Sequence, residues 1–277
     1  MTALVRVANC FPPVTTSSKS LTPGVPGYPE RLIALGWTPE LRVRGELPSD
    51  AAVRSVAIVG ARAASRVGMD RAHAAARHLA ERGVHVVSGG ALGIDGAAHR
   101  GALAGSGATT AVLGSGADVA YPARHAGLFD QILGTGGALV SMMPDGAEPR
   151  RGSFVARNPL IAALADVVVV VEADDRSGSL TTARAATKLG RLIVAYPGSR
   201  GCRQLLRAGA ALAETPIDVE HALAGEPRMP NRDDDPELQA IRAAHAGGAR
   251  TVDAIAEATG LPVRTVLRGL PLIERYS

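Results

Sequence analysis

Short apolar segments alternate with longer helical segments through the middle of the chain. The apolar segments are SVAIVG (55–60), HVVSGG (85–90), TTAVLG (109–114), ALVS (138–141), VVVVVEA (167–173) and LIVAYPG (192–198). The segments between them have helical patterns: MDRAHAAARHLAERG, GIDGAAHRGALAGSG, AGLFDQILGTGG, VARNPLIAALA and LTTARAATKLG. Continuous apolar strands alternating with helices predict a parallel sheet covered by helices on both faces. The predicted fold class is therefore α/β, with a doubly wound, mainly parallel, Rossmann-like sheet.

Composition changes on either side of this alternating region. Residues 1–27 are rich in Ser, Thr, Pro and Gly, which predicts a poorly ordered arm. Residues 28–226 form the predicted Rossmann-like domain. Proline, asparagine and three successive aspartates then mark residues 227–236 as a linker.

Residues 237–277 contain three short helical segments, with Thr251 at a predicted helix start and Gly260 at a stop. The last two segments have a helix-turn-helix pattern, in which residues 262–270 take the place of the recognition helix. A winged-helix domain also needs a β-hairpin after this helix, and the sequence ends at Ser277 before one could form. We therefore expect a small helical domain that is only partly winged-helix-like, and the pattern leaves its DNA binding open.

Composition narrows the function classes. No apolar stretch reaches the roughly 18 residues of a membrane span, and the N-terminus lacks the apolar segment of a signal peptide. We therefore expect a cytoplasmic protein without a membrane partner. Cys10 and Cys202 lack metal-ligand or redox spacing, so we predict neither a metal nor a cofactor. The net charge of +4 comes almost entirely from arginine, which binds phosphate well but does not by itself identify a nucleic-acid partner.

Glycine-rich or hydroxyl-rich loops follow three of the predicted strands, at the edge where parallel sheets bind ligands. The first loop offers a glycine turn, an arginine and a helix N-terminus, the second offers three glycines before a helix, and the third offers small hydroxyl residues before a helix. Such loops bind anions through amide groups and the helix dipole. The candidate residues are Gly60, Arg62, Ser88, Gly89, Gly90, Ser177, Gly178, Ser179 and Thr181. The alternative is that Gly60 only forms a turn and the serines only cap a helix.

Other ligands are disfavoured by the same loops. The GxGxxG spacing of dinucleotide sites is absent after the first strand, and no acidic residue closes the second strand to hold a ribose. Asp95 and His99 share a helical face, but no third metal ligand is recognisable. We expect these two side chains to pair and brace the loop. With Arg157 and Lys188, the three loops predict a positively charged track without a catalytic nucleophile.

Five motifs in a fixed order resemble those of the DprA/Smf family of bacterial DNA-processing proteins. They are SVAIVGARAASRVG, VVSGGALGIDGAAHRGAL, TTAVLGSGADVAYP, RNPLIAALADVVVVVEADDRSGSLTTARAATKLGR and YPGS, preceded by the lead-in GYPERLIALGWTPELRVRG. The resemblance covers residues 28–209. It implies an extended Rossmann fold that binds single-stranded DNA without cutting it, forms a homodimer, protects incoming strands and helps load RecA recombinase during natural transformation.

The resemblance also implies site residues. Carried over by motif, the DNA-facing positions are Arg62, Ser88, Gly89, Arg157, Asn158, Ser177 to Thr181 and Lys188, with Phe154 as a base-stacking platform. The chain departs from the family where Pro159 replaces a second arginine after the Arg-Asn pair. It departs again at His125 and Arg203, where asparagine is common.

The sequence leaves two alternative functions open. One is a nucleotide-hydrolysing enzyme similar to the cytokinin-activating phosphoribohydrolases, which have a Pro-Gly-Gly-x-Gly-Thr loop followed by a catalytic glutamate. The corresponding turn here is SGSLTTA, with no glutamate behind it, which ranks the enzyme below the DNA-binding protein. The other alternative is a nucleotide sensor or a structural Rossmann domain.

Overall fold

The strands form one sheet, in which their spatial order differs from their order along the chain. The computed structural model describes residues 18–175, 177–231 and 235–274. Within them, nine strands pair in the order β1-β2-β6-β5-β4-β3-β7-β8-β9. Their bounds are β1 Lys19–Leu21, β2 Leu41–Gly45, β3 Ser55–Val59, β4 His85–Ser88, β5 Thr109–Val112, β6 Ala138–Ser141, β7 Val167–Val170, β8 Leu192–Ala195 and β9 Ala211–Leu212. Pairing is parallel from β6 to β9 and antiparallel at β1 and β2, so the mainly parallel α/β sheet is confirmed.

Helices cover both faces of this sheet. The helices of the first unit are α1 Glu30–Ala34, α2 Arg66–Ala80, α3 Ile94–Ala104, α4 Ala126–Gly134, α5 Ser153–Ala156, α6 Asn158–Ala163, α7 Ser179–Lys188, α8 Arg200–Arg207 and α9 Pro216–Ala224. A 3-10 turn, Ala123–His125, precedes α4. The single helix predicted over residues 155–165 is divided in two at Arg157. The sequence patterns missed α1, α8, α9 and the short strands β1, β2 and β9.

Alternate residues of the central strands supply two separate cores. Val56 and Ile58 of β3 pack with α2, α3 and α9 on one face. Ala57 and Val59 pack on the other face with the apolar residues of α6 and α7. Because successive side chains of a strand point to opposite faces, a strand buried on both sides must be apolar throughout. That constraint explains why the run of valines in β7 is continuous.

The strand order creates a switch point between β3 and β7. The chain proceeds from β3 outward through β4, β5 and β6, and then returns to place β7 on the opposite side of β3. The loops that follow β3 and β7 therefore diverge, which leaves a crevice at the carboxyl ends of these strands. This crevice is the position in which open parallel sheets bind ligands.

The expected disordered arm over residues 1–27 is wrong for its last part. Lys19–Leu21 forms β1 and pairs antiparallel with β2, where Leu21 lies opposite Leu41. The Leu21 and Tyr28 side chains are buried in the core, and this burial offsets the low apolar content of the segment. Residues 1–17 lie outside the described part of the chain.

The C-terminal unit is a separate three-helix cluster. The chain divides into compact units at Arg228 and Met229. The second unit contains α10 Pro236–Ala246, α11 Val252–Thr259 and α12 Val263–Glu274 around a core of Ile241, Ile255, Val266 and Ile273. Thr251 caps α11 by accepting a hydrogen bond from the Ala254 amide, and Gly260 ends it with a φ of 66°. The small helical domain is thus confirmed, and α12 continues beyond the predicted residue 270.

Among the described residues, no helix combines the length and the apolar character that crossing a membrane requires.

Two histidines, His85 on β4 and His99 on α3, are buried. The His85 imidazole contacts the Thr110 hydroxyl at 2.8 Å, and His99 Nδ1 lies 2.9 Å from the Thr109 hydroxyl. Burial lowers the pKa of His85 to about 4 and that of His99 to about 3, with nearby cationic groups adding to the effect. Both imidazoles are therefore neutral in the folded protein near pH 7.

We predict that acid destabilises the fold through these histidines. Unfolded histidine binds a proton below a pKa of about 6.5, whereas the folded pKa values are lower. The free energy of unfolding should thus be unaffected above that pH and fall below it, by up to roughly 1.4 kcal/mol per pH unit for each imidazole. Urea unfolding at several pH values between 7.5 and 4.5 measures the slope. His99→Asn should reduce it, and an unchanged slope in this variant would contradict the account.

Candidate nucleic-acid interface

A pocket of about 160 Å³ lies at the switch point. Its walls come from the loops that follow β3, β4 and β7, and from α5 and α6. The lining includes Gly60, Arg62, Ala91, Asp95, Phe154, Arg157, Asn158, Ser177, Gly178, Ser179 and Thr182. The volume is below the roughly 300–1,000 Å³ of typical small-molecule sites. The pocket therefore suits a phosphate group or part of one nucleotide better than a whole dinucleotide.

The loop before α7 lies at the pocket, and hydrogen bonds within the protein hold its serine hydroxyls. The Ser177 and Ser179 hydroxyls lie 2.7 Å apart, and Gly178 is exposed at the N-terminus of α7. The Asn158 amide donates a hydrogen bond to the Gly178 carbonyl at 3.1 Å and another to the Thr181 hydroxyl. Asn158 therefore fixes the loop while the positive end of the α7 dipole stays at the pocket.

The loop after β3 does not offer a helix N-terminus to a ligand, contrary to expectation. The Glu172 carboxylate accepts hydrogen bonds from the Ser65 amide at 3.1 Å and from the Ser65 hydroxyl. Because Ser65 caps α2, this carboxylate occupies the place that an external anion would take. A Cβ atom on Gly60 would lie 2.5 Å from Ile94, so the glycine serves close packing of the loop against α3.

The loop after β4 is likewise satisfied from within the protein. The Asp95 carboxylate accepts a hydrogen bond from the Ala91 amide at 3.4 Å, and the Ile94 amide donates to the Ala61 carbonyl at 3.2 Å. The Ser88 hydroxyl is fully buried and donates to the Ile58 carbonyl at 2.6 Å. The expectation that Ser88 faces DNA is therefore wrong, because its side chain joins two strands.

The buried Arg157 side chain connects the loop after β4 with β5 and α3, and we call this set of contacts the Arg157 bracket. Its Nη1 donates to the carbonyl oxygens of Gly89 and Val112, and its Nη2 lies 3.9 Å from the Asp95 carboxylate. Burial lowers the pKa of Arg157 to about 10. Burial also raises the pKa of Asp95, and the positive charge of Arg157 partly offsets that rise. The expected DNA-facing role of Arg157 is wrong, because its side chain is 7 % exposed and its guanidinium bonds to groups inside the protein.

Gly89 and Gly90 contribute through their backbones. A Cβ atom on Gly89 would lie 2.3 Å from the Arg157 guanidinium, so only glycine leaves room for the bracket. Gly90 accepts a hydrogen bond at its carbonyl from His125 Nδ1 at 2.9 Å. Both glycines are buried, and neither presents a side chain to a ligand.

The predicted pairing of Asp95 with His99 is also wrong. Asp95 is held by the Ala91 amide and Arg157, whereas His99 bonds to Thr109 within the sheet. The two residues brace different parts of the fold. Within the described ranges, no group of three His, Cys, Asp or Glu side chains is placed to hold a metal ion.

Lys188 does not belong to the predicted positive track. It ends α7, roughly 14 Å along the helix from Ser179 at about 1.5 Å per residue. Since α7 returns toward the amino ends of the strands, Lys188 lies exposed at the opposite edge of the sheet. Of Arg62, Arg157 and Lys188, the cation that lines the pocket and remains exposed is Arg62.

Arg62 and Phe154 form the mouth of the pocket. The Arg62 guanidinium carbon lies 4.6 Å from the centroid of the Phe154 ring. A Cβ atom on Gly114 would approach this ring to 2.8 Å, which shows how closely the ring packs on the backbone. Tyr121 lies beside it, with the two ring centroids 5.4 Å apart and the ring planes 38° from each other. Sequence reasoning missed Tyr121, whose one signal was an aromatic residue in the loop after β5.

The three departures from the family motifs each have a local structural role. Pro159 is the second residue of α6, where proline's fixed φ and missing N–H are compatible with a helix start. His125 is buried against Gly90 and makes an edge-to-face contact with Phe129. Arg203 donates to the Gly198 carbonyl at 2.6 Å and so closes the turn before α8. These replacements are accommodated within the fold.

The family model described as DNA recombination-mediator protein A matches residues 19–224. A putative DNA processing protein DprA of Mycobacterium tuberculosis is 44% identical over 241 residues, which are 81% of this chain and 62% of that protein. Protein Smf of Escherichia coli is 38% identical over 266 residues, covering 89% of this chain and 71% of the relative. The chain thus spans less than two thirds of the mycobacterial relative's length.

Two solved structures are similar to the fold described above. The X-ray structure of DNA processing protein A from Streptococcus pneumoniae superposes with a TM-score of 0.67 and 37% identity, covering 73% of each chain. A structure of DNA processing protein A from Helicobacter pylori has a TM-score of 0.65 and 30% identity, covering 76% of this chain and 98% of that one. That structure concerns the single-stranded DNA binding mode of the Helicobacter protein.

We predict that Arg157 and Asp95 act as one structural unit. Arg157→Gln should lower the free energy of unfolding by about 3–5 kcal/mol, since it leaves a buried carboxylate without its charged partner. Adding Asp95→Asn should restore part of this loss, so that the double variant loses less than the two single variants together. Urea unfolding of the four proteins measures the coupling. If the double variant loses as much free energy of unfolding as the two single variants together, the proposed coupling of Arg157 and Asp95 is contradicted.

Proposed function

The chain belongs to the DNA recombination-mediator protein A family, and from that premise we propose that it binds single-stranded DNA at the switch-point pocket without cutting it. One observation carries the proposal. The exposed Arg62 guanidinium and the positive end of the α7 dipole line the same small pocket. A cation and a helix N-terminus that line one small pocket are suited to one backbone phosphate.

A single strand fits this surface better than a duplex. Phosphate contacts alone carry no preference between the two, so the preference must come from groups that contact unpaired bases. Phe154 and Tyr121 stand at the pocket mouth, next to the proposed phosphate position. Aromatic surface beside a phosphate position therefore favours a strand whose bases are unpaired and free to stack.

Nucleotide hydrolysis remains a lower-ranked alternative. The carboxylate that lines the pocket, Asp95, is held by Arg157 and the Ala91 amide. Glu172, after β7, is engaged with Ser65 at the start of α2. Neither carboxylate is placed to activate a water molecule, so the geometry favours binding over catalysis.

The further roles of this proposal are those that the family resemblance implies. In the proposal, the protein acts in the cytoplasm as a homodimer, protects incoming single strands and helps load RecA recombinase during natural transformation. Its support is the membership of the family together with the pocket described above. The site residues proposed to face the strand are Arg62, Phe154, Ser177, Gly178, Ser179 and Thr181, with Gly60, Gly89, Gly90 and Asn158 shaping the loops.

We predict that Arg62→Ala weakens binding to single strands of every sequence by roughly tenfold, because one charge-assisted phosphate contact is lost. The slope of log affinity against log salt should become shallower by about one contact. Fluorescence anisotropy with labelled single strands at several salt concentrations measures both quantities.

Arg77→Ala is the matched control, since it removes one positive charge from the distant end of α2. It should change the affinity and the salt slope much less than Arg62→Ala does. Equal effects of the two variants would show that Arg62 acts only through the overall charge. Absence of any single-strand binding by the unaltered protein would overturn the proposed function.

A further inference from the structure

The Phe154 ring is not an open platform. The Arg62 guanidinium lies over it at 4.6 Å, Tyr121 packs beside it, and the Gly114 backbone closes in on one edge. Phe154 is also only partly exposed. A base could stack on its face only where these neighbours leave room, which limits the role expected for it from the sequence.

Tyr121 presents the accessible aromatic surface at this point. Tyr121 is 43% exposed although its ring also contacts Phe154. Exposed apolar residues flank the pocket as well, namely Leu92 in the loop after β4 and Val155 on α5. Apolar surface around a phosphate-sized pocket fits a ligand whose charge enters the pocket while its flat apolar parts stay outside.

We propose that Tyr121 stacks a base of the bound strand, adjacent to the nucleotide whose phosphate lies in the pocket. This inference rests on the proposed function and adds a residue to it. Phe154 supports the Tyr121 ring from the side, and Arg62 supports Phe154 by its cation–π contact. Arg62 thus connects the phosphate position to the aromatic pair.

This arrangement gives Arg62 and Tyr121 different roles in binding. Arg62 contributes to binding through the phosphate and should matter whether or not a base is present. Tyr121 contributes through the base and should matter only when the base is present. Stacking is insensitive to base identity because every base has a flat π surface, so Tyr121 gives binding without sequence preference.

A cycle that changes both the protein and the oligonucleotide tests this separation. The proteins are the unaltered chain, Tyr121→Leu and Tyr121→Phe, and the oligonucleotides are a single strand with bases and an abasic strand of equal length. Tyr121→Leu should weaken binding to the base-bearing strand by roughly five- to hundredfold, with the salt slope unchanged. Its binding to the abasic strand should stay within about twofold of the unaltered protein, and Tyr121→Phe should bind both strands normally.

The controls distinguish the possible failures. Ile217→Ala changes a similarly exposed apolar residue on α9, away from the pocket, and should leave the affinity for both strands unchanged. Melting temperatures of all variants reveal any loss of folding. If Tyr121→Leu loses no affinity, or loses it equally for both strands, the stacking role is overturned while single-strand binding stands. If the unaltered protein binds neither strand, the proposed function fails and the stacking role fails with it.

Discussion

The buried guanidinium of Arg157 is the interaction on which the architecture of the pocket depends. It joins the carbonyl of Gly89 after β4, the carbonyl of Val112 at the end of β5, and the carboxylate of Asp95 on α3. A charge removed from water is tolerated only where its donors are satisfied and a counter-charge is near. The bracket therefore fixes several loops relative to one another at the carboxyl edge of the sheet.

In two of the three loops, those after β3 and β4, a carboxylate of the protein itself accepts the backbone hydrogen bonds. Glu172 occupies the start of α2, and Asp95 holds the loop before α3. The pocket is lined by Arg62 and by the N-terminus of α7, which we propose as its anion-binding groups. The proposed anion-binding site thus lies at the switch point between β3 and β7, where the chain topology opens a crevice.

The sequence predicted the parallel core well because its signal is local and strong. Each strand buried on both faces must be continuously apolar, and β3 through β8 are recognisable for that reason. The edge strands and short helices carry no such pattern, and β1 is made of a segment rich in serine and proline. The site was predicted less well, since loop motifs indicate where a residue lies along the chain but not which partner satisfies it. Ser88 and Arg157 match the family motifs, yet their side chains bond inside the protein. Lys188 lies at the far end of α7, away from the pocket.

In the proposed function, a single strand is bound at the switch-point pocket. Photo-crosslinking tests it most directly, with an iodouracil-substituted single strand irradiated in complex with the full chain and the modified peptides identified by mass spectrometry. We expect crosslinks on Tyr121 and on the α5 peptide that contains Phe154, and we expect both to be lost when an excess of unlabelled single strand competes. Crosslinks confined to α11 and α12 of the C-terminal unit, or to the edge of the sheet that carries Lys188, would contradict it.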